Sequence, residues 1–223
     1  MKKKLAVVLI AALTVSTMAV GCGSSKDSSS TDTKETKTES TKDSVSNGGN
    51  TFTVGFDAEY PPYGYMDDDG EYTGFDLELA QAVCDLEGWT LVKKPINWDS
   101  KDMELNSGSI DCIWNGFTMN GREDDYTFST PYVDNSQVIV VAENSGIEKL
   151  SDLAGKTVGV QAASAALDLL NSEEEGGQKA LADTFGSLNE FADYNTAFTE
   201  LQAGALDALA IDIGVAKYQI NSR

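Results

Sequence analysis

Ser109-Ile-Asp-Cys-Ile-Trp-Asn-Gly-Phe-Thr-Met-Asn-Gly-Arg122 is the stretch on which the reading of this chain turns. Ile110 to Trp114 is a short apolar run with β-branched and aromatic content, which predicts a buried strand. The run breaks at Asn115-Gly116 into a loop carrying an aromatic (Phe117), a hydroxyl (Thr118) and a cation (Arg122). Loops at the carboxyl ends of strands are where open α/β sheets hold ligands. The guanidinium of Arg122 offers a planar fork of donors matched to a carboxylate.

Composition narrows what such a loop can do. The 223 residues suit one large or two small domains. A hydrophobic share of 41% is enough for a packed core. The formal charge of −20 argues against nucleic acid and against adhesion to an anionic membrane surface. The chain has no His, which excludes a His general base, a Ser-His-Asp triad and His-ligated zinc. No cofactor or metal is expected. Of the three Cys, Cys84 and Cys112 are expected to be buried free thiols, with a disulfide left open by an oxidising compartment.

Met1 to Cys22 reads as an export segment outside the fold: Lys2, Lys3 and Lys4 give a positive start, and Leu5 to Val20 supply the apolar run. It ends Ala19-Val20-Gly21-Cys22, which resembles the lipobox of bacterial lipoproteins, so Cys22 is expected to be lipidated. From residue 23 to residue 50 the only aliphatic or aromatic residue is Val45, so this segment is expected to be a disordered tether. The protein is therefore expected on the outer face of the cell membrane, held by its lipid alone.

Folded sequence is expected from Thr51. Thr51 to Phe56 alternates as a strand and runs into Asp57-Ala58-Glu59-Tyr60-Pro61-Pro62-Tyr63, a loop stiffened by two prolines. Asp67-Asp68-Asp69-Gly70-Glu71 lacks the alternating ligand spacing of a calcium loop and reads as a solvated acidic turn. Gly74-Phe75-Asp76 opens an amphipathic helix, with Asp76 and Glu78 suited to its dipole. Thr90–Lys94 is a second strand and Trp98–Ser107 a short helix. Further strands are predicted over Tyr126–Ser129 and Val138–Val141, completing a wound α/β lobe over residues 51–143. A second lobe is expected over residues 144–223. It has a strand at Thr157–Val160, a helix at Ala165–Leu170 started by Ser164, a helix at Asn195–Gln202 and a buried strand at Ala208–Ile211 ended by Asp212. Ser164 suits a helix cap or, through small neighbours and free amides, an anion. Asp212 suits an ammonium or a cap for a helix at Ile213–Tyr218.

These segments, taken in order, resemble the substrate-binding proteins of polar amino-acid ABC transporters. The resemblance rests on Val54-Gly-Phe-Asp-Ala-Glu-Tyr-Pro-Pro-Tyr63, Gly74-Phe-Asp-Leu77, Gly108-Ser-Ile-Asp111, Asn115-Gly-Phe-Thr118 with Arg122, Ser129-Thr-Pro-Tyr132, Leu150 to Val160, and Leu201-Gln-Ala-Gly-Ala-Leu-Asp-Ala208. It covers Thr51 to about Ile220. The resemblance implies a two-lobe, periplasmic-binding-protein-like α/β fold of type II that closes on an amino acid. It implies that Arg122 pairs with the ligand α-carboxylate, helped by Thr118 and by the amide and hydroxyl of Ser164. Asp212 and Thr118, with a carbonyl of Asn115 or Gly116, would hold the α-ammonium. Asp57 and Tyr60 would line the side-chain pocket between Trp98 and Phe117 as walls. Many relatives have one more residue between the Thr and the Arg. Where they commonly carry two hydroxyls in the second-lobe loop, this chain reads Ala163-Ser164-Ala165. The pattern also implies a C-terminally incomplete sequence, lacking a return strand and final helices of roughly fifty residues.

The function implied is capture of an amino acid by a non-catalytic monomer and its delivery to an ABC permease. With Arg122 as the single pocket cation, a side-chain carboxylate would lack a partner, so neutral polar or basic ligands are expected. The alternatives are an enzyme on the same fold, a cyclohexadienyl-dehydratase-like protein with Glu59 as its acid, and the ligand-sensing ectodomain of a receptor.

Overall fold

The structure, a computed structural model, describes residues 5–8 and 50–222. Cys22 and residues 23–49 of the expected tether lie outside the described residues, so neither expectation is addressed by the fold.

The described chain opens with β1 (Leu5–Val8) and resumes with β2 (Thr51–Phe56). β3 (Glu59–Tyr60), β4 (Gly64–Met66) and β5 (Tyr72–Thr73) form a small antiparallel meander. Helix α1 (Phe75–Glu87) leads to β6 (Thr90–Pro95), and a 3-10 turn at Trp98–Ser100 runs into α2 (Lys101–Asn106) and β7 (Cys112–Ile113). After a long irregular segment come β8 (Gln137–Ala142), a 3-10 turn at Leu150–Leu153 and β9 (Thr157–Gln161). The chain then forms α3 (Ala165–Asn171), α4 (Lys179–Ala182), β10 (Ser187–Phe191), α5 (Tyr194–Ala203), β11 (Ala208–Asp212) and α6 (Ile213–Ser222).

Two sheets result. The first is parallel in the order β6-β2-β7. Its core is small: Val54 and Phe56 of β2 meet Leu77 and Ala80 of α1, all fully buried. The helix stops at Gly88, whose left-handed backbone (φ 70) lets its N–H reach the Cys84 carbonyl. The second sheet has the order β1-β8-β11-β9-β10, with β9, β10 and β11 parallel and β8 antiparallel to β11. Every residue of β11 is buried, because the sheet is covered on both faces. One face carries Phe198, Leu201, Leu209, Ile211 and Val215, the other Leu153, Val158, Val160, Leu170 and Ala210. Tyr60, at the end of β3, and Tyr63, in the turn that follows it, are buried in the first of these clusters, so a piece of the first lobe is packed into the second.

Several expectations need correction. Val138–Val141 is expected in the lobe over residues 51–143, yet β8 pairs along its length with β11, which places it in the second sheet. The chain therefore crosses between Trp114 and Gln137, within a segment that sequence order alone cannot mark. Tyr126–Ser129 is not a strand. Among the described residues no strand pairs with it, and Tyr126 instead meets the Phe117 ring edge-on at 4.9 Å while Phe128 lies tilted against it at 5.6 Å. The Ile110–Trp114 strand is shorter than expected, though the Asp111 N–H donates to the Thr53 carbonyl and the Trp114 N–H to the Gly55 carbonyl at either end of it. Leu5–Val8, expected outside the fold as part of the export segment 1–22, pairs antiparallel with Ile139–Ala142. An apolar run with two valines is a ready partner for an open strand edge.

Candidate functional site

The two sheets bring their polar strand ends together. Asp212 closes β11 and is 4% exposed. Its Oδ1 accepts from the amides of Gln137 (2.7 Å), at the start of β8, and of Asn135, at the end of the crossing segment. The Tyr60 hydroxyl faces the same carboxylate, and the buried Tyr194 hydroxyl lies in its field beside Ser164. The Asn135 amide also reaches the Thr118 hydroxyl at 3.4 Å. Thr118 in turn accepts from Arg122, whose Nη1 donates to its carbonyl at 3.3 Å. A chain of contacts thus runs from the carboxylate of the second lobe, through Asn135 and Thr118, to the guanidinium of the first.

Arg122 lies over the Phe117 ring, 4.8 Å from its centroid, and its Nη2 pairs with Asp168 Oδ2 at 2.5 Å and points at the Ala163 carbonyl at 3.5 Å. Both partners belong to the other lobe. Trp98 is buried and meets Phe117 edge-on at 5.5 Å, so the two expected walls are in contact. Asp57 ties the lobes again: its carboxylate accepts from the Gln161 amide at 2.6 Å and from the Glu59 N–H at 2.8 Å. Its own N–H donates to the side-chain oxygen of Asn115, which is 2% exposed. Burial pushes the Asp57 carboxyl up to about 6, against the lowering effect of these donors. Gly116 adopts φ +56 with its Cα face toward the Tyr63 ring, a backbone that favours glycine.

Ser164 caps α3. Its hydroxyl accepts the Leu167 N–H and donates to the Gln161 carbonyl, so both of its capacities are engaged inside the protein. The hydroxyl expected to help the α-carboxylate is therefore committed elsewhere. Glu59 is exposed and accepts from Asn195, so it does not face the buried poles. Asp76, read from the sequence as a helix-dipole residue, is fully buried; it accepts from the Tyr132 hydroxyl at 2.9 Å and is pushed up to about 6 by burial.

Lys101 was missed. It is 5% exposed, with Nζ 5.3 Å from the centre of the Trp98 ring and donating to the Ala163 carbonyl at 3.3 Å. Burial holds its ammonium below the usual lysine range. Arg122 is thus not the single cation of the cleft. At the head of a short helix full of charges, Lys101 carries no sequence signal that separates it from a surface lysine. A cavity of about 370 Å³ is lined by Tyr60, Tyr63, Gly116, Phe117, Thr118 and Asn135 among others; Lys101, Arg122 and Asp212 are not among its lining residues. Its volume is within the range of small-molecule sites, roughly 300–1,000 Å³. Among the described residues no cluster of three or more His, Cys, Asp or Glu is placed to hold a metal.

Residues 52–217 match the family model described as bacterial extracellular solute-binding proteins, family 3. The chain belongs to that family. Among curated members of the solute-binding family, it is 33% identical over 165 residues to the L-cystine-binding protein TcyJ of Escherichia coli, covering 73% of this chain and 59% of the relative. The chain thus spans under two thirds of that relative's length. Among solved structures, an ABC uptake transporter substrate-binding protein from Streptococcus pneumoniae with bound histidine aligns at a TM-score of 0.73 and 36% identity, over 78% of this chain and 70% of that one. An ancestral amino acid-binding protein, described as a precursor of cyclohexadienyl dehydratase, aligns at 0.70 and 29% identity, over 77% and 74% of the two chains. The two-lobe α/β fold of type II is that of these solute-binding neighbours. No helix among the described residues is long and apolar enough to cross a membrane.

Proposed function

We propose that this protein captures a polar amino acid between its two lobes and delivers it to an ABC permease. It works outside the cell, as a monomer anchored through a lipid on Cys22, and it catalyses no reaction. The observation that carries the reading is the pair of opposite charges, Arg122 and Asp212, set on opposite lobes and joined through Thr118 and Asn135. A zwitterion leaving water needs an anion site and a cation site a few ångströms apart, both shielded from solvent. Arg122 holds the α-carboxylate. Asp212 holds the α-ammonium with help from the Thr118 hydroxyl and a carbonyl at Asn115 or Gly116. Tyr60, Trp98 and Phe117 wall the side-chain pocket, with Asp57 at its edge. Neutral polar or basic side chains suit a pocket where Asp57 and Asp212 supply the acidic groups.

The test is calorimetric titration of the full chain with the standard L-amino acids, ornithine and cystine. One tight ligand, unchanged in mass after incubation, is the expected result. Binding of none, or turnover of the bound compound, overturns the proposal. An enzyme acting through Glu59 would lose its activity in Glu59→Gln, whereas a receptor should bind that variant's ligand almost as before, because Glu59 is exposed.

A further inference from the structure

Two cations from different elements converge on one backbone oxygen. Lys101 opens α2, and Arg122 sits in the loop beyond β7. Both donate to the carbonyl of Ala163, at 3.3 and 3.5 Å. Ala163 is a non-glycine residue with positive φ (54°), a backbone that turns its carbonyl toward the first lobe and immediately precedes the Ser164 cap. A carbonyl is a poor counter-charge for a buried ammonium and a largely covered guanidinium. The Lys101 ammonium has three donors and, among the described residues, this one hydrogen bond together with the face of Trp98. Formal negative charge reaches the two cations from several carboxylates: Asp102, Asp168 and Asp99 all favour the charged form of Lys101, and Asp168 is the one that pairs directly with Arg122, at 2.5 Å. The Asp168 side chain is 60% exposed and the Arg122 side chain 12%, so the acid reaches into the pair from the solvent side.

We propose that Lys101 and Arg122 form a two-cation clamp for the ligand's α-carboxylate, and that Asp168 occupies this clamp until that carboxylate displaces it. The inference rests on the amino-acid-binding reading above and deepens it. It explains how the site works with Ala165 where a second hydroxyl is common, and with the Ser164 hydroxyl spent on its cap. A second cation replaces the missing neutral donor, and charge-assisted hydrogen bonds are about twice as strong as neutral ones. It also keeps the pocket selective for neutral or basic side chains, because Lys101 is used on the same carboxylate as Arg122 and is not free for a second one. Asp168 offsets one of the two positive charges through Arg122 and gives it up readily, since an exposed carboxylate returns to water at little cost.

The test uses the full chain and three variants, Lys101→Met, Lys101→Arg and Asp168→Asn. L-Arginine, L-histidine, L-glutamine and L-cystine are titrated by calorimetry after thermal melts show that each variant folds. The expected result is that Lys101→Met weakens the ligand that binds wild type by roughly tenfold or more. Lys101→Arg retains most of that affinity, and Asp168→Asn tightens it. Affinity unchanged in Lys101→Met overturns the clamp, as does a loss confined to ligands with a second carboxylate. Weaker binding in Asp168→Asn overturns the role given to Asp168. A parallel titration with acetate, followed by the Arg122 Nε signal in NMR, separates the two readings. If wild type binds no amino acid, the proposed function fails. An acetate-dependent shift that is lost in Lys101→Met and enhanced in Asp168→Asn still supports the clamp, and its absence overturns it.

Discussion

At the scale of single residues, the site depends on buried charges that have few ways to be satisfied. Asp212 is held by two amides and no cation among the described residues. An α-ammonium placed against it would be unpaired in Asp212→Ala, so binding should fall by on the order of a hundredfold or more in calorimetry. Two other buried carboxylates give stability a pH dependence. Asp57 and Asp76 are both raised from 3.8 to about 6, chiefly by burial. Between those values the folded chain holds protons that the unfolded chain has released. Their stabilising contribution is therefore complete below about 4 and is lost as the pH rises through about 6. The melting temperature should climb as pH is lowered from 7 toward 5. Asp76→Asn should flatten part of that climb while keeping the acceptor that Tyr132 needs, and an unchanged slope would remove Asp76 from the account.

At the scale of elements, the start of α1 is fixed by the loop that carries Tyr60 and Tyr63. Gly74 precedes the helix at φ +128, and a Cβ there would run into the backbone carbonyl of Tyr63. The Phe75 and Asp76 N–H groups donate to the Pro62 and Tyr63 carbonyls at 2.9 and 3.0 Å, so the loop acts as the cap that no side chain supplies. Backbone cannot rotate away as a side chain can. Gly74→Ala should cost about 2–4 kcal/mol in urea unfolding, and a loss within the error of wild type would mean that the loop yields. β10 shows the opposite dependence. Ser187-Leu-Asn-Glu-Phe191 is polar and half exposed, and it is a strand because it pairs in register with β9 along its whole length.

At the scale of the molecule, the lobes are tied by a few contacts, each linking residues far apart in sequence. They include the Gln161 amide on Asp57, Arg122 on Asp168 and Lys101 on Ala163. Replacing two of them together, in Gln161→Ala with Asp168→Ala, should raise the radius of gyration in small-angle scattering, and the ligand should reverse the change. An unaltered profile would mean that Tyr60 and Tyr63, packed into the second lobe, set the closure by themselves.

What the sequence determined by itself was local. The Ser109–Arg122 stretch, the strand ending at Asp212 and the cap at Ser164 were legible because a change from apolar run to polar loop marks a strand end wherever the strand lies. The family was legible for a related reason, since its motifs sit at those same strand ends. The tertiary structure alone decided which sheet β8 joins, and that Tyr126–Ser129 joins none. It also buried Lys101 beneath a loop 62 residues away and turned Asp168 onto Arg122. A lysine in a charged first turn is identical in sequence whether it faces water or a second lobe. The difference is a desolvation that only the packed chain imposes.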